Sequence, residues 1–107
     1  MKVDQLDDMI RGWFVGDFEP TLYRTEAVEV AIKSYAPGDV EARHHHKVAT
    51  EITAIVSGHA RMDGREVGPG EIVTLAPGES CDFAALTEVV LVAVKIPGAR
   101  DDKYADE

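Results

Sequence analysis

Apolar and polar residues alternate in the first half of the chain with the two-residue period of a β-strand. The even positions Val28, Val30 and Ile32 are apolar, whereas Glu29 and Lys33 lie among the odd positions. Successive side chains of a strand point to opposite faces of its sheet. This alternation is typical of a strand with one solvent-exposed face.

Two further segments, residues 52–56 and 89–94, are apolar at both odd and even positions. A strand of this kind must be covered on both faces. An antiparallel sandwich covers one face, and the other needs a further sheet or a second copy of the protein. We therefore expect the protein to form a homodimer.

Glycine and proline interrupt the sequence about every ten residues from Trp13 onward, as in proteins built from many short strands. Asp63-Gly64 is also a typical two-residue hairpin turn. The sequence therefore predicts a single all-β domain of antiparallel strands. The interruptions fall at Gly16, Pro20, Pro37-Gly38, Ser57-Gly58, Asp63-Gly64, Pro69-Gly70, Pro77-Gly78 and Pro97-Gly98.

The two ends of the chain carry weaker patterns. Leu6, Met9 and Ile10 have a roughly helical spacing that Gly12 interrupts, so residues 1–27 are expected to form lead-in strands or a short helix. The core of the single domain, 1–107, is expected at residues 28–96. Residues 98–107 are mostly polar and are expected to form a flexible tail.

Composition narrows the classes of function. The chain has 107 residues and a formal charge of -9, and this length allows one hydrophobic core. An acidic chain repels phosphate backbones and anionic headgroups, so neither nucleic acid nor a membrane is expected as a partner. The apolar runs are too short to cross a membrane, and the acidic N-terminus is unlike a secretory signal. With Cys81 as the single cysteine, we expect a cytoplasmic protein without an internal disulfide.

Three of the four histidines are consecutive, at positions 44, 45 and 46. On an extended chain, His44 and His46 share one face and His45 points the other way. Glu51 opens the next apolar strand, where a carboxylate is costly to bury unless it is paired or bound to a metal. Two imidazoles and one carboxylate form the facial arrangement used by non-haem iron and tolerated by Mn, Ni, Co or Zn. A solvated histidine cluster in a turn is the alternative.

The same residues resemble the first motif of the cupin superfamily. That motif is a glycine, five residues, HxH, three or four residues, a glutamate, six residues and a glycine. Gly38, His44, His46, Glu51 and Gly58 stand at these intervals. The resemblance spans roughly residues 28–96 and implies a small jelly-roll (cupin) barrel.

The second cupin motif is matched less completely. Gly70 and Gly78 occupy its glycine positions, but Ala76 stands in place of the proline and Cys81 in place of the last histidine. Cupins usually hold their metal with three histidines and one glutamate. Three outcomes follow: Cys81 is a thiolate ligand, or it is a small buried hydrophobe beside a three-residue site, or the site has no metal. We favour the buried hydrophobe, because cysteine packs in cores more often than it binds metals.

Other polar residues near these motifs are weaker candidates for a functional site. Arg43 and Lys47 flank the histidines and could bind a carboxylate or phosphate of a substrate, although exposed basic residues are more often plain surface. His59 follows the turn at Gly58 and is expected to be solvated.

The resemblance implies two functions of different class. One is an enzyme in which His44, His46 and Glu51 hold a divalent ion that acts on a small oxygenated metabolite, such as a sugar or a keto acid. Dioxygenases, isomerases, epimerases and decarboxylases all occur among cupins, and the fold does not choose between them. The other is a non-catalytic module that binds or senses a small molecule or a metal. An enzyme needs an open coordination position, whereas a carrier does not.

Overall fold

The computed structural model describes residues 1–106, which form ten β-strands and a short 3-10 helix, Leu6–Asp8. No helix in this part of the chain is long and apolar enough to cross a membrane. The strands are β1 (Trp13–Val15), β2 (Glu29–Tyr35), β3 (Val40–His45), β4 (Thr50–Ser57), β5 (Ala60–Met62), β6 (Arg65–Val67), β7 (Ile72–Leu75), β8 (Cys81–Ala85), β9 (Val89–Ile96) and β10 (Tyr104–Ala105).

The strands form two five-stranded sheets. The first sheet has the order β1-β2-β9-β4-β7, and the second has the order β10-β3-β8-β5-β6. All pairings between these strands are antiparallel. The predicted all-β jelly roll is confirmed, and so is the Asp63-Gly64 hairpin, which joins β5 to β6 with positive φ angles of 51° and 76°.

The hydrophobic core lies between the two sheets. Ile55 of β4 and Val89 of β9 are the largest fully buried side chains among the described residues. Tyr35 of β2 meets Phe83 of β8 across the core, with 4.5 Å between the ring centroids. Removing such side chains from water stabilises the fold by about 25 cal/mol per Å² of apolar surface.

The even positions of β2, which the alternation marked as apolar, point away from this core. Ala31 is completely buried and Tyr35 packs on the core, so the odd positions face inward. Val30 and Ile32 lie on the opposite face, where they pair in register with β9. The alternation therefore identified the strand, but the face with Glu29 and Lys33 is the inner one rather than the solvent-exposed one.

The side of the first sheet that faces away from the core is mostly apolar and carries no charged residue on β2, β4, β7 or β9, and we call it the outer face. Because β4 and β9 bury their odd positions in the core, their even positions lie on this face and are half-buried or exposed, as at Val56 (57% exposed). The predicted homodimer, which would cover these residues, stays a prediction. The apolar residues of the outer face are Val30, Ile32, Ile52, Ala54, Val56, Ile72, Val90, Val92, Val94 and Ile96, and its uncharged polar residues are Ser34, Thr50 and Thr74.

Residues 98–106 differ from the flexible tail that their composition predicts. β10 pairs with β3, where Tyr104 lies opposite His45 and Ala105 opposite His44. Asp102 is buried, with 5% of its surface exposed. These contacts are mostly hydrogen bonds to the backbone, which leave no apolar period in the sequence. Glu107, the last residue of the predicted tail, lies outside the described residues.

Candidate metal centre

His44, His46 and Glu51 come together at the end of the barrel where β3 passes into β4. His44 lies in β3, His46 directly follows it, and Glu51 is the second residue of β4. One possible ligand atom from each residue lies within 4.8 Å of the others. The two imidazole rings meet edge to face, with 5.4 Å between their centroids. We call these three residues the histidine–glutamate cluster.

Backbone carbonyl groups orient both imidazoles. The Nδ1 of His44 is 2.9 Å from the carbonyl oxygen of Ala42, and the Nδ1 of His46 is 2.6 Å from that of Asp102. A carbonyl oxygen only accepts, so in each ring Nδ1–H is the donor. This leaves Nε2 as the ligand atom, an arrangement typical of metal-binding histidines. The residues present therefore fit a divalent metal ion.

Without a metal, His46 and Glu51 form an ion pair, with 2.9 Å between Nε2 and Oε2. The hydrogen bond to Glu51 raises the pKa of His46, and burial opposes this effect. Burial is the largest single effect and raises the pKa of Glu51, but the hydrogen bond to His46 and the nearby positive charges together outweigh it, so the pKa is lowered. A metal ion must replace the proton on Nε2, because a ligating imidazole is neutral.

Asp102, from the C-terminal segment, holds the turn that carries His46. Its carboxylate accepts hydrogen bonds from the backbone N–H groups of Lys47, Val48 and Ala49, at 2.9–3.2 Å. Burial would raise the pKa of Asp102, but these three bonds lower it below its ordinary value. The same residue thus fixes the backbone after His46 and, through its carbonyl oxygen, the imidazole itself.

Cys81 lies beside the histidine–glutamate cluster but is not grouped with it. It pairs in register with His44, belongs to the hydrophobic core and is 5% exposed. Burial raises the pKa of its thiol, which disfavours the thiolate that a metal needs. Its Sγ donates a hydrogen bond to the carbonyl oxygen of Asp82. Among the predicted outcomes, its surroundings favour the buried hydrophobe.

The histidine–glutamate cluster opens into a small cavity between the sheets. The cavity has a volume of about 40 Å³, and Tyr35, Phe83, Leu91 and Met62 form part of its wall. A water molecule needs at least about 10–15 Å³ when volume is measured in this way. The cavity therefore has room for an ion with very few water molecules or ligand atoms beside it.

The other polar residues considered from the sequence lie away from this cavity. His45 points the opposite way, as strand parity predicts, and its Nδ1 is 2.7 Å from the carboxylate of Asp106. Arg43 forms a salt bridge with Asp63, and Lys47 lies over the ring of Tyr104. His59 is near Glu66 on the surface.

Three residues near the cluster were missed by sequence reasoning, namely Lys33, Lys95 and Asp102. Lys33 lines the cavity and pairs with Glu41 at 3.3 Å. Lys95 lies between Glu51 and Glu29 in the sheet register. A signal for Lys95 was present, since it interrupts an apolar run at a core-facing, odd position. Asp102 had no comparable signal.

Comparison with known proteins supports the fold. No protein-family model matches this sequence, and no curated protein matches it. An uncharacterized conserved protein with a double-stranded β-helix domain from Klebsiella pneumoniae subsp. pneumoniae MGH 78578 is similar in structure, with a TM-score of 0.75 and 19% identity. The similarity covers 100% of this chain and 99% of that one.

Two further structures have the same architecture in part of their length. KdgF from Halomonas sp. has a TM-score of 0.64 and 22% identity over 73% of this chain and 76% of that one. Oxalate decarboxylase from Bacillus subtilis has a TM-score of 0.65 and 22% identity over 75% of this chain, but only 24% of its own. At these identities the likeness establishes the fold alone. The chain has the double-stranded β-helix, or cupin, fold that its sequence motifs predict.

Proposed function

We propose that the protein is a metal-dependent cupin enzyme in which His44, His46 and Glu51 hold a divalent ion that acts on a small oxygenated metabolite. The observation that carries this proposal is the orientation of the two imidazoles. Each donates its Nδ1–H to a backbone carbonyl group, which leaves Nε2 for a metal. The ligand set suits Fe, Mn, Ni, Co or Zn.

A bound ion would supply Lewis-acid polarisation of a substrate oxygen. The chain's own residues would position the substrate and exclude water. Phe83 and Leu91 contribute apolar surface to the cavity wall from the two sheets. Burial, followed by the nearby charge of Glu41, raises the pKa of Tyr35. Its phenol is therefore protonated at neutral pH and is a hydrogen-bond donor at the cavity wall.

The structural neighbours support a small oxygen-rich substrate without identifying it. Bacillus subtilis oxalate decarboxylase has Mn(II) centres, and oxalate oxidase has been crystallised with glycolate. Both proteins share only the fold with this chain.

Metal analysis of the untagged protein tests this proposal. We expect about one divalent ion per chain in the purified wild type. The metal content of the His46→Ala variant should be at least about tenfold lower. The His59→Ala variant removes a histidine far from the cluster and is the matched control. If the wild type carries no stoichiometric metal, or if His46→Ala retains it, the site assignment is wrong.

The small cavity favours a second candidate, a non-catalytic module that binds a metal or a small molecule. Spectroscopy of the Co-substituted protein separates the two functions. An enzyme has an open coordination position, so azide or cyanate should change the visible spectrum. A four-coordinate spectrum that these anions leave unchanged favours the non-catalytic module.

We also propose that two copies associate through the outer face of the first sheet. Its residues carry no charge and come from adjacent strands in register, so the same patch can pack against itself about a two-fold axis.

We further propose that the protein is cytoplasmic, where the single thiol of Cys81 stays reduced.

A further inference from the structure

Two lysines lie on the inner side of the first sheet, next to the histidine–glutamate cluster. Lys33 of β2 and Lys95 of β9 occupy odd, inward positions, and both approach the ring of Trp13. The Nζ atoms are 5.6 Å and 4.9 Å from the ring centroid, respectively. Inward-facing lysines are unusual, because an ammonium group is costly to remove from water.

The two lysines differ in their partners. Lys33 forms a salt bridge with Glu41. Lys95 has Glu29 and Glu51 as cross-strand neighbours, yet it forms no salt bridge with any residue in the described range. Glu51 is instead engaged by His46. The half-buried ammonium group of Lys95 thus lies over an aromatic ring, with carboxylates on the neighbouring strands but none of them in salt-bridge contact.

Both lysines line an open groove of about 700 Å³ that adjoins the small cavity, and we call it the lysine groove. Lys33, Tyr35 and Glu41 belong to the walls of both spaces. The groove is lined by four basic and three acidic residues, so it has an excess of one positive charge in a chain whose formal charge is -9. Leu6, Met9 and Ile32 add apolar surface to it.

We propose that the lysine groove binds the carboxylate of a small organic acid, with Lys95 and Lys33 as its cationic contacts and Trp13 as its wall. Charge-assisted hydrogen bonds from ammonium groups suit a carboxylate. The aromatic and aliphatic lining suits the organic part of the ligand, which a mineral anion lacks. The groove adjoins the proposed metal site, so this inference rests on the proposed function and names its substrate class.

The sole tryptophan of the sequence, Trp13, offers a direct readout. The metal-depleted full chain is titrated with oxalate while the tryptophan emission is recorded. Ethylene glycol is the neutral probe and inorganic phosphate the mineral anion. Lys95→Met removes the charge but keeps most of the side chain, Lys95→Arg keeps the charge, and Lys2→Met is the control for loss of a lysine on the exposed N-terminal segment.

We expect oxalate to change the emission with saturation. The Kd should rise at least about tenfold in Lys95→Met, which is about 1.4 kcal/mol, and should change little in Lys2→Met. Lys95→Arg should keep most of the affinity. Equal Kd values for wild type and Lys95→Met would overturn the proposal, and phosphate that binds as tightly as oxalate would overturn the carboxylate class. Ethylene glycol that binds as tightly would exclude an anion site.

A second variant keeps the test valid if the first does not fold. If Lys95→Met does not unfold cooperatively on heating, Lys33→Met carries the test with the same expected weakening. Failure of the proposed function has a different signature. A protein that binds oxalate through Lys95 but takes up no metal would refute the metal site and leave the lysine groove in place. Conversely, if the protein takes up metal but Lys95→Met and Lys33→Met bind oxalate as tightly as the wild type, the lysine groove is refuted and the metal site stays.

Discussion

The two faces of the first sheet differ from those of a usual antiparallel sandwich, because charged side chains lie on the inner face beside the core and not on the outer one. The face toward the core carries Lys33, Lys95 and Glu51, together with the aromatic ring of Tyr35. The face away from the core carries mostly valine, isoleucine and alanine, with one serine and two threonines and no charged residue on β2, β4, β7 or β9. In most antiparallel sandwiches the core side is apolar and the other side is polar.

The difference is greatest at one end of the sheet, next to the histidine–glutamate cluster. Near the open end of the barrel, charged residues take the place of apolar ones on the inner face, and they line the cavity and the lysine groove. Further along the sheet, Ile55 and Val89 belong to the buried apolar core. The outer face has no such division, which is why we propose that a second copy covers it.

The largest expected effect on the free energy of unfolding comes from a substitution on the inner face of β4. Ile55 is 2% exposed and Val56 is 57% exposed. We expect Ile55→Ala to lower the free energy of unfolding by about 2–4 kcal/mol, because it leaves a cavity in the core. Val56→Ala should lower it by less than about 0.5 kcal/mol in the monomer. Urea denaturation measures both, and equal losses would mean that the two faces of β4 are assigned wrongly.

Asp102 should show the next largest effect, at the rim of the inner face. Asp102→Asn weakens charge-assisted bonds to three backbone N–H groups, so we expect a loss of about 2 kcal/mol of unfolding free energy at pH 7. The folded-state pKa of Asp102 is lowered. Its contribution is therefore complete above about pH 4 and is lost as the pH falls through that lowered value.

Urea denaturation of wild type and Asp102→Asn from pH 7 to pH 3 checks this prediction. The difference between the two proteins should shrink toward acid pH. Asp101→Asn, next to it in an exposed turn, is the matched control and should differ little from wild type at any pH. A constant difference across the range would show that the carboxylate charge of Asp102 is not what holds the turn.

Cys81 should show a smaller effect. Cys81→Ala removes one buried sulfur atom and should cost about 1 kcal/mol of unfolding free energy. If Cys81 is core, the metal content and metal affinity of the variant should equal those of the wild type. A clear drop in metal affinity without loss of folding would instead make the thiol a ligand.

The outer face should contribute least to the fold of a single chain and most to assembly. Val92 lies at its centre, opposite Ile32 and Ala54. We expect Val92→Lys to convert a dimer to a monomer in light scattering, with less than about 1 kcal/mol lost from the unfolding free energy of the monomer. Val3→Lys, at an exposed N-terminal position, is the charge-matched control. A wild type that is monomeric at high concentration would remove the proposed interface.

Local patterns were enough to predict much of this molecule. The spacing of Gly38, His44, His46, Glu51 and Gly58 resembles the first cupin motif, and that resemblance implied both the barrel and the histidine–glutamate cluster. Gly58 shows why spacing of this kind is restrictive. It has a φ of 85°, and a Cβ there would lie 1.8 Å from the carbonyl oxygen of Glu88.

The features that sequence reasoning missed depend on contacts distant in sequence. The period of β2 gave no sign of which face would be buried, because that depends on the strands that flank it and on the opposite sheet. Asp102 meets the turn after His46 across more than fifty residues, through hydrogen bonds that any acidic residue in a polar tail could make. Arg43 and Lys47 were considered as anion contacts for their nearness in sequence, whereas Lys33 and Lys95 are the lysines near the site.

The central claim is that the histidine–glutamate cluster binds one divalent ion, and neighbouring histidines of the same run provide the most direct test. The metal-depleted protein is titrated with Co(II) while the visible absorption is recorded. We predict saturation at about one ion per chain, with the signal abolished in His46→Ala and retained in His45→Ala, because strand parity points only the first of these toward the cluster. Equal titration curves for the two variants would contradict this account.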